Sequence, residues 1–291
     1  MKKNTGLIAW LILMLLALTW GSSYILIKKG LIDFSPLQVA GLRVSISALA
    51  FLPIFLLRFN DIDWTKWKPL AAVGFAGSFF PAILFAVAQT ELSSSVTGVL
   101  SSLTPLFTLL LGILFFKTPA VWAKISGILV GLCGAILLIV FNKNSGEVAN
   151  PWFGILVVLA TICYGISTHT VKHYLQEVSS LTLSAAAFII IGLPGMILLW
   201  SSNFMEVLQT SETAWESLAY ITILSLMGTV VASILFFKLV QITTPIFASM
   251  VSYLTPVVAL GWGILDGEMV TVFHFVGMVL ILCGVYIARN R

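Results

Sequence analysis

The sequence predicts an all-α membrane protein of ten transmembrane helices, built as two inverted five-helix repeats with both termini cytoplasmic. Three observations carry this expectation. The composition leaves no polar shell, apolar runs of membrane-spanning length recur along the chain, and the two halves match each other at a nearly constant offset. Of 291 residues, 59% are hydrophobic and 9% charged, whereas a soluble domain carries about 25% charged residues. Mean hydropathy is +1.09. Such a surface suits hydrocarbon rather than water.

A helix needs about 20 apolar residues to cross a bilayer. Runs of this kind lie at 7–27, 36–57, 69–88, 96–116, 124–141, 152–171, 180–200, 216–237, 246–264 and 273–288. The first follows Met-Lys-Lys and is long for a signal-peptide core, so it reads as a membrane helix. Connections are mostly short, and the longest polar stretch outside the tails is 201–215. No loop is large enough to hold a soluble domain.

Orientation follows from Lys and Arg in the loops. With the N-terminus inside, eleven lie in cytoplasmic segments: Lys2, Lys3, Arg58, Lys66, Lys68, Lys117, Lys124, Lys172, Lys238, Arg289 and Arg291. Three lie outside: Lys28, Lys29 and Lys143. The net charge of +4 is scattered singly between apolar runs. It forms no stripe to track phosphates, so no nucleic-acid partner is expected. Cys133, Cys163 and Cys283 sit singly in apolar runs, with no pairing for a disulfide or a zinc site.

The repeat is visible residue by residue. At an offset of 151, Gly77 matches Gly228, Ile83-Leu84-Phe85 match Ile234-Leu235-Phe236, Ser101 matches Ser252, and Leu103-Thr104-Pro105 match Leu254-Thr255-Pro256. At 150, Gly127, Cys133 and Gly134 match Gly277, Cys283 and Gly284. At 144, Gly21, Ser23 and Lys28 match Gly165, Ser167 and Lys172. The halves divide as 1–146 and 147–291. Each has five spans, an odd number, so the second inserts upside down. Inverted repeats of this kind place a site between the halves near the midplane.

These residues carry a resemblance. Trp20-Gly21-Ser22-Ser23-Tyr24 with Lys28, then Arg43, Leu103-Thr104-Pro105-Leu106 with Gly112, and Leu254-Thr255-Pro256-Val257 with Gly263 and Glu268 resemble the drug/metabolite transporter superfamily, in particular its ten-helix EamA-type members. The resemblance covers nearly the whole chain. It implies a ten-helix fold with a central cavity lined from both halves, and export or exchange of small metabolites such as amino acids. The chain departs from strict symmetry. Ala187 stands where a partner of Arg43 would be, and Phe115-Phe116-Lys117 stand opposite Asp266-Gly267-Glu268.

Candidate site residues follow from cost. A charge near mid-membrane costs about 2.5–3.5 kcal/mol on insertion scales. Arg43 lies about seven residues into its span, ~10 Å deep. It reads either as a carboxylate or gate contact or as a structural bond to carbonyls. Thr104-Pro105 and Thr255-Pro256 free backbone carbonyls at matching depths, so Pro105 and Pro256 are candidate hinges. Trp20, Tyr24, Gln89, Ser101, Thr104, Tyr164, Tyr253 and Thr255 complete the substrate-binding candidates, since a metabolite pocket mixes aromatic walls with a few polar groups. Trp10, Trp152 and Trp200 read as interfacial anchors. His169, with Lys172 and His173, reads as a solvated helix end, with a proton relay as the alternative.

No hydrolase, metalloprotease or phosphate-loop motif occurs, so neither an enzyme nor a cofactor or metal is expected. No Asp or Glu sits deep in a span; Glu91, Asp266 and Glu268 lie at helix ends. The expectation is a secondary transporter, an exporter or exchanger of amino acids or related metabolites working by alternating access. Efflux of amphipathic cations is the alternative, with an intramembrane lipid-modifying enzyme behind it. The expected partners are a small-molecule substrate and the lipid bilayer of the cell (inner) membrane, the chain acting as monomer or homodimer.

Overall fold

Where the sequence runs apolar, the chain is helical. A computed structural model describes residues 2–116, 118–119, 121–140 and 150–289, and among these no strand occurs. The long helical stretches are α1 (Lys2–Gly30), α2 (Pro36–Leu57), α3 (Trp64–Ala88), α4 (Ser94–Phe115), α5 (Trp122–Val140), α6 (Pro151–Tyr174), α7 (Ser180–Trp200), α8 (Ala214–Ile242), α9 (Pro245–Leu265) and α10 (Val272–Arg289). Among the described residues, eight are long and apolar enough to cross a membrane. The apolar parts of α5 and α10, Ile125–Val140 and Val272–Ile287, are shorter. The expected boundary between the halves, and Lys117, Lys143 and Arg291, fall outside the described residues.

The sequence starts its helices with chemistry. Ser35 and Gln38 close a reciprocal box at the start of α2, with Pro36 in the first turn, satisfying two orphan amides. Ser93, Asn150, Ser179 and Thr244 each accept an amide at the start of a helix. In lipid such caps matter, because no water reaches an unpaired N–H. Trp10, Trp152 and Trp200 are exposed.

Packing is reciprocal between the halves. The second helix of one half, α2, packs along its counterpart α7, and α5 along α10. Helix α1 lies against α8 and α9, and its counterpart α6 lies against α3 and α4. Glycines set the closest approaches. A Cβ on Gly77 would meet Ser167 Oγ at 2.6 Å, and one on Gly228 would meet Ser23 Oγ at 2.7 Å. A Cβ on Gly134 would meet the Gly277 carbonyl at 2.8 Å, and one on Gly284 the Gly127 carbonyl at 2.5 Å.

Two helices carry a wide turn at matching places. Phe75–Phe79 in α3 and Leu226–Val231 in α8 are π-helical, and each includes the glycine that meets the other half's serine. Nothing in the apolar pattern announced them. The prolines behave less alike. In α4 a 3-10 turn, Ser101–Leu103, precedes Thr104-Pro105. In α9 the break falls at Met250, and Pro256 sits inside an unbroken helix.

The ends of α1 and α6 are tied differently. Lys28 Nζ reaches Asp266 at 2.7 Å and Glu268 at 2.9 Å, and Lys29 reaches Asp266 at 2.5 Å. Glu268 also accepts the backbone N–H and hydroxyl of both Ser94 and Ser95, at the start of α4. Burial alone would raise its carboxyl, but hydrogen bonds from Ser95, Lys28 and Ser94 outweigh that and hold it below the usual glutamate value. Lys172, at the end of α6, donates instead to the carbonyls of Val240, Gln241 and Thr243.

Candidate functional site

Between the halves lies a cavity of about 70 Å³, counted as space for the centres of water-sized molecules. At ~10–15 Å³ per water on that measure, it has room for several. Its walls come from α1, α2, α3, α4, α6, α8 and α9. Of the residues singled out from the sequence, Trp20, Tyr24, Arg43, Ser101, Thr104, Tyr164 and Thr255 line it. Gln89 and Tyr253 do not, nor do Pro105 and Pro256. Gln89 caps the end of α3, buried, with no partner for its amide among the described residues.

The lining is paired. At the offsets found in the sequence, Trp20 and Tyr164, Ser23 and Ser167, Gly77 and Gly228, Ser78 and Thr229, Phe85 and Phe236, Ser101 and Ser252, and Thr104 and Thr255 hold equivalent places. All fourteen face the same space. Rings build one wall. Trp20 and Tyr164 stack at 6.4 Å; Trp20 also meets Phe236 at 5.0 Å, and Tyr164 meets Phe85 at 6.0 Å. Trp20 Nε1 donates to the Gly228 carbonyl at 3.0 Å, which satisfies the indole and fixes the ring. Trp20 is therefore a cavity residue rather than an interfacial anchor.

Arg43 breaks the pairing, since Ala187 holds its equivalent place. Its Nε donates to Thr229 Oγ1 at 2.8 Å, and its guanidinium lies beside the hydroxyls of Tyr164 and Tyr24. Thr229 sits in the wide turn of α8 and donates its own proton to the Leu224 carbonyl at 3.3 Å, leaving its oxygen for Arg43. Arg43 is 9% exposed. Among the described residues lining the cavity it is the one that carries charge, and none is acidic. The arrangement can bind an anion, orient it by the planar donor fork, and pack an apolar group on the rings.

Several lining residues escaped the sequence reading: Ser23, Ser78, Ser167, Thr229, Ser233, Ser249 and Ser252 among the hydroxyls, and Phe85 and Phe236 among the rings. The repeat already marked Ser23, Ser167, Phe85, Phe236 and Ser252 as matched positions, so the signal was there. Ser167 Oγ is buried with no partner among the described residues. His169 corrects an expectation. It is not a solvated helix end but 5% exposed, with Nε2 2.8 Å from the Thr108 carbonyl and its ring stacked on Phe116 at 4.4 Å.

The comparisons with known proteins agree with this architecture. The EamA-like transporter family matches the chain twice, over residues 7–140 and 152–289. The chain belongs to that family. It is thus a multi-pass membrane transporter of the EamA type. The uncharacterized inner membrane transporter YedA of Escherichia coli is 27% identical over 278 residues, covering 93% of this chain and 87% of YedA. A probable amino-acid metabolite efflux pump of Salmonella typhimurium is 26% identical over 295 residues, covering 99% and 95%. An uncharacterized transporter of Archaeoglobus fulgidus is 26% identical over 185 residues, so that 64% of this chain spans 65% of that protein. A solved crystal structure of a protein has a similar fold, with a TM-score of 0.61 at 16% identity, covering 97% of this chain and 96% of its own.

Proposed function

We propose that this EamA-type protein is a secondary transporter that exports or exchanges small carboxylate-bearing metabolites, amino acids among them, by alternating access. The observation that carries this is Arg43, a buried guanidinium in a ring-walled cavity whose described lining holds no acid. Its described neighbours, Thr229, Tyr164 and Tyr24, are neutral, and a buried charge favours an opposite one, which a substrate carboxylate supplies. The Salmonella protein named for amino-acid metabolite efflux supports the same class. A cavity with a fixed positive charge repels amphipathic cations. A lipid-modifying enzyme would need convergent acid and base groups at the site, and Arg43 is the one charged group among its described lining residues.

The architecture we propose has ten spans, with α5 and α10 joining the eight longer helices. At 19 and 18 residues they reach about 27–29 Å, close to a bilayer core of ~30 Å. Two inverted repeats, 1–146 and 147–291, account for the double family match and the reciprocal packing. The excess of Lys and Arg in the loops on the N-terminal side supports both termini being cytoplasmic. The YedA name supports the inner membrane as location. The test is counterflow in proteoliposomes preloaded with a panel of amino acids and carboxylic acids. Exchange of at least one is expected, reduced at least tenfold in Arg43→Ala per folded molecule. Equal exchange by the variant would sink the carboxylate role.

A further inference from the structure

Fourteen of the 21 described lining residues of the cavity fall in seven equivalent pairs, and its one charged lining residue is outside them. Its paired hydroxyls and rings recur in both halves, while Arg43 stands alone opposite Ala187. From this, and resting on the transporter reading above, we infer that the site selects substrates by net charge. It takes monoanionic carboxylates ahead of zwitterions and zwitterions ahead of cations, and it carries the anion as an electrogenic uniport.

The argument is electrostatic. In a space of low dielectric the net charge of the filled site dominates its free energy, because Coulomb energies there are weakly screened. One guanidinium with one carboxylate gives a neutral complex. A zwitterion leaves the filled site at a net positive charge, and a cation adds to it. The lining offers little to offset an ammonium group. Ser23, Ser101, Ser233 and Ser249 donate their hydroxyl protons to carbonyls of their own helices. Their oxygens remain as neutral acceptors, which serve N–H and O–H groups of a substrate without balancing a charge. Trp20, Tyr164, Phe85 and Phe236 add ring faces, and a cation over a ring is a weaker partner than a carboxylate. Asp266 and Glu268, outside the lining, are committed to Lys28, Lys29, Ser94 and Ser95.

The energetics of flux follow. With no acid among the described lining residues to carry a proton back, a monoanion crosses as one negative charge per cycle. An inside-negative membrane drives that charge outward, by about 50-fold in the equilibrium ratio per 100 mV. Export then needs neither a proton gradient nor a counter-substrate.

Three compounds with one side chain and three charges test the inference: the 2-oxo acid of leucine, leucine, and leucinamide in its ammonium form. The full chain is reconstituted in liposomes, and a potassium diffusion potential is set with valinomycin. The 2-oxo acid should enter fastest and leucinamide slowest. A potential positive inside should raise the plateau of the 2-oxo acid at least tenfold and leave that of leucine unchanged. Arg43→Gln, normalised to folded protein, should lower entry of the 2-oxo acid more than that of leucine. Faster entry of leucine, a plateau of the 2-oxo acid that ignores potential, or a preference that survives Arg43→Gln would overturn the charge rule while leaving the transporter reading standing. Entry of none of the three would overturn both.

Discussion

Trp20 and Tyr164 stack nearly parallel, 6.4 Å between ring centroids and 13° between planes, although one belongs to the first helix of each half. They are related by the sequence offset of 144, and both line the cavity. Phe236 backs one ring and Phe85 the other, again an equivalent pair. Arg43 sits beside this stack without a counterpart of its own.

That position makes Arg43 the first residue to change. Arg43→Lys keeps the charge and loses both the Nε donor that holds Thr229 and the planar fork. It should cut transport about tenfold, the equivalent of ~1.4 kcal/mol. Arg43→Ala should cut it further, with the protein still inserting. Transport per folded molecule, measured beside thermal stability in detergent, checks both. A loss that only follows the folded fraction would assign Arg43 to structure.

The seam between α5 and α10 has no slack. A Cβ on Gly284 would lie 2.5 Å from the Gly127 carbonyl and from the Gly131 amide nitrogen, both of them backbone. Gly284→Ala must push the helices apart and should cost about 1–3 kcal/mol. Gly261, where a Cβ meets nothing within 4 Å, is the control. Gly261→Ala should leave the melting temperature within error.

Glu268 gives a pH dependence with a definite sign. Its carboxyl is held below the usual value of 4.5 in the folded protein. Its contribution to stability is therefore complete above the unfolded value and is lost as pH falls through the folded one. Melting temperature should fall with acidification below about pH 4.5. Glu268→Gln should lose on the order of 2 kcal/mol at neutral pH, with a shallower acid decline. An unchanged acid profile in the variant would assign the decline to other groups, Asp33 and Asp266 first among them, since both are also held low.

Topology is open to labelling in intact cells. In a background lacking Cys133, Cys163 and Cys283, a cysteine at position 146 should react with an impermeant maleimide, and one at position 64 should not. The reverse pattern would invert the proposed orientation.

Much of this molecule was legible in its sequence, and the reason is lipid. A membrane helix must satisfy its own backbone, so apolar length alone locates α2, α4 and α7 to within a few residues. The site was legible where a residue violates its surroundings or repeats. Arg43 is costly at its depth, and Trp20 and Thr104 stand in matched motifs. Ser78 and Thr229 were not, because nothing in Ala-Gly-Ser-Phe-Phe or Met-Gly-Thr-Val-Val announces a π turn. The turns form where Gly77 and Gly228 meet serines of the other half, and no local pattern encodes that contact. Gln89 misled for the opposite reason. An amide at a helix end looks the same in sequence whether it faces a cavity or not.

The wide turns also decide where the chain tolerates a change in length. A π turn holds one residue more than the α-helical turn it replaces. Removing one residue from Leu226–Val231 would relax that turn to an ordinary one and leave both flanks of α8 in phase. The same deletion in Ala232–Ile242 has no slack to draw on. Everything beyond it would rotate by about 100°, swinging Phe236 and Phe237 off the cavity and onto a neighbouring helix. Single-residue deletions stepped along α8 would thus trace a phase map, with one permissive window at the turn and intolerance on either side.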